Sequence, residues 1–300
     1  MRLVLRSVCW RKLSPTFLQD VFGRRGSTES SNSPVIAQGN ASILDVILLS
    51  SIFSQSLRSS EQNSSPFDVQ EASSGREVRL VAVSKLKPAS DILAIHKTTS
   101  HSHFGENYVS ELQEKAKQLP DDIKWHFIGA LQTNKCKILG AIPNLFAVET
   151  VDSCKKAELL EKSRASLALA NIKPLEIYLQ VNTSGESSKA GFLIEPNQTI
   201  RETQLYSTAF YIKEQCRFLK LAGLMTIGSI EESKSNNQNK DFEKLVSLRD
   251  QLSKSLNGFT LGLSMGMSAD FILAIKVGST NVRVGSSIFG ERPPFKESQA

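Results

Sequence analysis

A lysine at the end of an apolar run is the first residue of this 300-residue chain whose chemistry needs an explanation. Residues 78–88 read V-R-L-V-A-V-S-K-L-K-P, a β-branched stretch that stops at Ser84 and Lys85 before Pro88 forbids further strand. A neutral lysine amine condenses with an aldehyde to form a Schiff base, and partial desolvation of Lys85 would favour that neutral form. Two later turns offer complementary chemistry. L-S-M-G-M-S-A-D (residues 263–270) and V-R-V-G-S-S-I-F-G (residues 282–290) each set glycine and hydroxyls beside a strand-like run. Glycine permits close backbone approach, and a helix start binds anions through its N–H groups, with Ser268 read as the N-cap of a helix over 269–277.

A nucleophilic lysine and a phosphate cradle together point to pyridoxal phosphate, an aldehyde that carries a phosphate. Arg283 alternates to the same strand face as Gly285, so it reaches either the phosphate or the pyridine nitrogen. Facing the nitrogen, it would keep the ring unprotonated and weaken it as an electron sink. Asn107, in H-F-G-E-N-Y-V (residues 103–109), is the candidate for orienting the ligand.

These residues need a scaffold that gathers strand ends. Strand-like runs fall at 79–84, 101–105, 124–129, 144–149, 175–182, 219–227, 259–265 and 281–288. Helix-like segments fill every gap: 89–98, 107–118, 133–141, 153–170, 199–217, 240–256 and 269–277. Strict alternation implies right-handed crossovers and a parallel sheet. Eight repeats over roughly 215 residues suit an α/β fold of the single (β/α)8 TIM barrel type, whose ligands bind at the carboxyl ends of the strands. An open doubly wound sheet is the alternative, but neither a G-x-G-x-x-G after the first strand nor a P-loop is present.

The domain reading is an N-terminal extension over 1–77, a barrel over 78–292 and a tail over 293–300. Residues 1–26 are arginine-rich with few acids, which fits either a mitochondrial presequence or a disordered basic tail. Residues 27–77 read as Ser/Asn/Gln-rich linker, with one helix-like stretch at 43–57. Residues 1–33 hold six basic and two acidic side chains, +4 of the total +6, which leaves the body near neutral and without an electrostatic case for nucleic acid. The longest apolar stretch is too short to span a bilayer. Four scattered cysteines without a C-x-x-C pair fit a reducing compartment.

Plainer readings apply to other residues. Lys87 and Lys135 read as rim charges, and Asn134 is a weaker ligand contact than Asn107. His126 is either a hydrogen-bonded core residue or a ligand contact. His101 and His103 share a strand face but lack a third metal ligand. Met225, Met265 and Met267 read as packing around a ring.

Seven ordered motifs then resemble those of the pyridoxal phosphate homeostasis protein family. They are V-A-V-S-K-L-K-P, H-F-G-E-N-Y-V, W-H-F-I-G-x-L-Q-T-N-K, V-N-T-S-G-E-S-S-K-A-G, L-A-G-L-M-T-I-G, L-S-M-G-M-S-A-D and V-R-V-G-S-S-I-F-G-E-R. The resemblance implies a barrel similar to the N-terminal domain of alanine racemase, with the cofactor on Lys85. It implies phosphate contacts at Met267, Ser268, Gly285 and Ser286, and a cofactor-facing arginine at Arg283. One departure is that residues 27–77 lack the Arg/Ala-rich helix that normally precedes the lysine strand.

The expectation is a non-enzymatic carrier in cofactor homeostasis and supply. Its partners would be pyridoxal phosphate and apo-enzymes that need it, and it would be a monomer or weak dimer in the cytoplasm, or in mitochondria through its N-terminus. An amino-acid racemase is the alternative. Racemases of this fold take a second base from a second domain, and only eight residues follow Arg292.

Overall fold

The computed structural model describes residues 77–167, 172–195, 197–234 and 238–290. Eight parallel strands close on themselves in sequence order, so the last strand pairs with the first. They are β1 (Arg79–Val83), β2 (His103–Glu106), β3 (Lys124–Phe127), β4 (Leu145–Val151), β5 (Leu175–Gln180), β6 (Leu219–Met225), β7 (Gly262–Ser264) and β8 (Asn281–Val284). Closure removes both sheet edges, which suits strands this short.

Between them run α1 (Ala89–Thr99), α2 (Val109–Gln118), α3 (Cys136–Gly140), α4 (Cys154–Ala165), α5 (Gln204–Gln215), α6 (Ile230–Ser233), α7 (Lys240–Ser255) and α8 (Phe271–Lys276), with α9 (Ser286–Phe289) after β8. Local sequence sets their ends. Pro88 stands at the N-cap of α1, and Ser100, in the left-handed region at φ 58, closes it with an N–H to the His96 carbonyl. Thr203 caps α5 and Asn239 caps α7 by accepting N–H groups three residues ahead.

The main apolar core lies between the sheet and the helices. Phe104, Trp125, Leu112, Leu139, Leu160, Leu224, Leu245 and Ile275 are all fully buried there. Each such large side chain contributes roughly 1.5–3 kcal/mol by leaving water. Among the described residues no helix is long and apolar enough to cross a membrane.

Two expectations change. Strand eight stops at Val284 rather than at 288, and residues Ser286–Phe289 coil into α9. Gly285, at φ −121 and ψ −71, is the break. The helix of 269–277 begins only at Phe271, with Asp270 rather than Ser268 at its N-cap. The helix expected at 43–57 and the targeting stretch at 1–26 lie outside the described residues.

Candidate functional site

Closure of the barrel makes β1 and β8 neighbours, with Ala82 opposite Val284. Lys85 and the Gly285–Ser286 turn therefore emerge side by side at the carboxyl end. A Cβ built on Gly285 would lie 3.3 Å from the Val83 Cβ, so the turn packs directly on the strand end that delivers Lys85. Lys85 itself is half-buried in the turn after β1.

Both neighbours of Lys85 are fastened to β2 and α2. Ser84 is buried and donates its hydroxyl to Glu106 Oε1 at 2.6 Å. Lys115 reaches back from α2, and its Nζ donates to Glu106 (2.8 Å), to Glu111 (2.7 Å) and to the Ser84 carbonyl (3.0 Å). Glu111 also accepts the Leu86 N–H at 2.7 Å. Leu86 has φ 62, a left-handed conformation that costs a leucine roughly 1 kcal/mol and persists here because this bond holds it. Burial pushes the Glu106 carboxyl up to about 7, against the opposing pull of Lys115 and the Ser84 hydroxyl.

The two glycine–serine turns meet each other. Ser268 Oγ accepts the Gly285 N–H at 3.3 Å, so this serine joins the loops after β7 and β8 instead of capping a helix. Asp270 holds the N-cap position, and its Oδ1 turns back to accept the Met267 N–H at 2.7 Å, which braces the loop ahead of α8. Gly266, at φ 96, makes the turn possible, and a Cβ on it would lie 2.6 Å from that of Ala274. Met267 and Ser268 are half-buried, whereas Ser286 opens α9 exposed to solvent.

Arg283 is buried and points into the barrel. Its Nη2 donates to the Thr226 carbonyl at 2.8 Å and its Nη1 to Ser264 Oγ, and Glu149 lies 3.8 Å away. Asn107 comes from the end of β2, where its carbonyl packs so tightly on Gly129 that a Cβ there would lie 1.9 Å from it. Its Oδ1 is buried without a hydrogen-bond partner among the described residues. An orphaned buried acceptor is costly and marks a place where a ligand donor would be welcome.

The site thus offers a strand-end lysine, a two-turn anion cradle and a clamped guanidinium. Other expectations sort differently. Lys87 is no simple rim charge, because its Nζ donates to the Phe289 carbonyl at 2.7 Å and ties the lysine loop to α9. His126 is fully buried between His103 and Glu149. His101 bonds the His103 carbonyl. Met225 and Met265 are core residues, and Asn134 and Lys135 are exposed. Sequence reasoning missed Glu106, Glu111, Lys115 and Glu149. Only the Glu111–Lys115 pair, four apart on α2, carries a local signal. A cleft of about 770 Å3 lined by Lys124, Phe146, Glu176 and Lys220 sits at the opposite end of the strands and holds none of the expected site residues.

Comparison with known proteins agrees with this architecture. Residues 68–293 match the family model described as alanine racemase, N-terminal domain. A pyridoxal phosphate homeostasis protein of Schizosaccharomyces pombe is 45% identical over 230 residues, 77% of this chain and 91% of that protein. Its human counterpart is 47% identical over 226 residues, 73% of this chain and 78% of that protein. Among solved structures, PipY of Synechococcus elongatus with PLP bound superposes with a TM-score of 0.56 at 31% identity, covering 71% of this chain and 92% of that one.

Proposed function

The chain belongs to the pyridoxal phosphate homeostasis protein family, built on an alanine racemase N-terminal domain barrel, and from that premise we propose that it carries pyridoxal phosphate as a Schiff base on Lys85. One observation carries the reading. The strand end bearing Lys85 and the Gly285 turn pack on each other, and Ser268 bridges that turn to its partner after β7.

The residues present fit the group. Met267, Ser268, Gly285 and Ser286 would hold its phosphate, Arg283 would face its ring nitrogen, and the orphaned Asn107 Oδ1 supplies an acceptor. When bound, the cofactor supplies an aldehyde carbon that the Lys85 amine takes up with loss of one water. The rest is done by the chain. Lys115, Glu106 and Glu111 fix the backbone on either side of Lys85, and the serine–glycine turns present donors to a dianion.

The role that follows is storage and supply without turnover. The cofactor is held covalently but reversibly, its reactive aldehyde kept out of solution, and released to apo-enzymes that require it. Arg283 facing the ring nitrogen would leave the ring unprotonated and a weaker electron sink, which disfavours chemistry that needs a strongly stabilised carbanion. Incubating the loaded protein with D- or L-alanine in deuterated water tests this point. A carrier leaves the α-proton in place over hours, whereas rapid exchange that disappears in Lys85→Ala would make the protein an enzyme.

A further inference from the structure

Beneath the site, a chain of polar side chains crosses the barrel. His103 Nδ1 lies 2.8 Å from His126 Nε2, and His126 Nδ1 lies 2.7 Å from Glu149 Oε1. A carboxylate only accepts, so that His126 nitrogen carries the proton and donates. Glu149 Oε2 accepts the Ser264 hydroxyl at 2.5 Å, and Asn281 Nδ2 bridges Glu149 and Ser264 at 3.1 Å each. β4 and β7 are not neighbours in the sheet, so the Glu149–Ser264 bond spans the barrel interior. Glu149 is wholly buried.

Having spent its proton on Glu149, the Ser264 hydroxyl is free only to accept, and it accepts from Arg283 Nη1. We propose, resting on the cofactor reading above, that Glu149 is a positioning residue: through Ser264 it sets the Arg283 guanidinium toward the cofactor's ring nitrogen. The order of donors makes the relay one-way, from guanidinium to hydroxyl to carboxylate. Burial alone would raise the Glu149 carboxyl, but His126, Arg283 and Ser264 outweigh it and keep it ionised. A buried guanidinium needs such a counter-charge, and at 3.8 Å Glu149 is its ion-pair partner among the described residues. At the far end, burial and then His126, Arg79 and Lys124 hold His103 down to about 2, so that end stays neutral.

The test uses deoxypyridoxine phosphate, which has the cofactor's ring and phosphate but no aldehyde, with inorganic phosphate as the ring-free probe. Because neither needs Lys85, an error about the lysine leaves a different signature. Dissociation constants are measured for wild type, Glu149→Gln, Ser264→Ala, Arg283→Met and the Ser264→Ala/Arg283→Met pair. Each single change should weaken the analogue about tenfold, the loss expected for one charge-assisted hydrogen bond. Phosphate binding should not change, and the double variant should bind no worse than Arg283→Met alone. Ser264→Ala keeps the comparison decisive if Glu149→Gln does not fold. Additive losses, a matching loss for phosphate, or wild-type affinity in Ser264→Ala would each overturn the relay. Wild-type protein that binds neither the analogue nor pyridoxal phosphate would overturn the cofactor reading and the relay together.

Discussion

Lys115 and Glu106 form an ion pair 2.8 Å apart, buried against α2, and the same ammonium grips the Ser84 carbonyl directly before Lys85. The backbone beside Lys85 is thus held by a buried ion pair whose two partners come from β2 and α2. Lys115→Met should remove about 3 kcal/mol of stability, because it leaves Glu106 buried without its counter-charge. Urea unfolding measures this. A loss below 1 kcal/mol would show that the cluster is not a clamp.

The same pair predicts a pH dependence. Glu106 binds its proton more tightly in the folded chain, with a value near 7 against an ordinary 4.5. At this carboxyl the folded state holds more proton than the unfolded state across that window, so the contribution of Glu106 to stability is fully present below 4.5 and is lost as pH rises through 7. Glu106→Gln removes this slope. Wild type should lose up to about 3 kcal/mol relative to the variant across the window, and parallel stability curves would contradict it.

Gly266 is a backbone requirement. Alanine there would adopt φ 96 and meet the Ala274 Cβ at 2.6 Å. Gly266→Ala should cost at least about 2 kcal/mol from strain and overpacking combined, read as a lowered midpoint of chemical unfolding. Unchanged stability would mean that the loop after β7 is set by something else.

Much of this was legible beforehand, for physical reasons. Strands buried on both faces read as apolar runs, and Lys85 stood out because its run ended abruptly at Pro88. Residues 286–288 misled because Ile288 looks like continued strand, while the break depends on the backbone of Gly285. Ser268 resembled a cap because serine before an apolar run usually is one. Its actual bond goes to a residue 17 positions away, which the parallel pairing of β7 and β8 brings near. The Glu149–Ser264 contact, 115 positions apart, has no local signature at all.

Ser268 yields a prediction from that correction. Ser268→Ala removes the acceptor that ties Gly285 N–H to the turn after β7. Inorganic phosphate should bind roughly tenfold more weakly, with stability changed by about 1 kcal/mol or less. Isothermal titration on wild type and variant decides this, and equal affinities would place the anion site elsewhere.

A Schiff base on Lys85 leaves a covalent mark once it is reduced. Pyridoxal phosphate is incubated with wild type and with Lys85→Ala, the mixtures are reduced with borohydride, and the digested proteins are examined by mass spectrometry. A reduced pyridoxyl adduct is expected on Lys85 in wild type, with almost none anywhere in the variant. Equal labelling of the two proteins, or an adduct mapped mainly to another lysine, would contradict it.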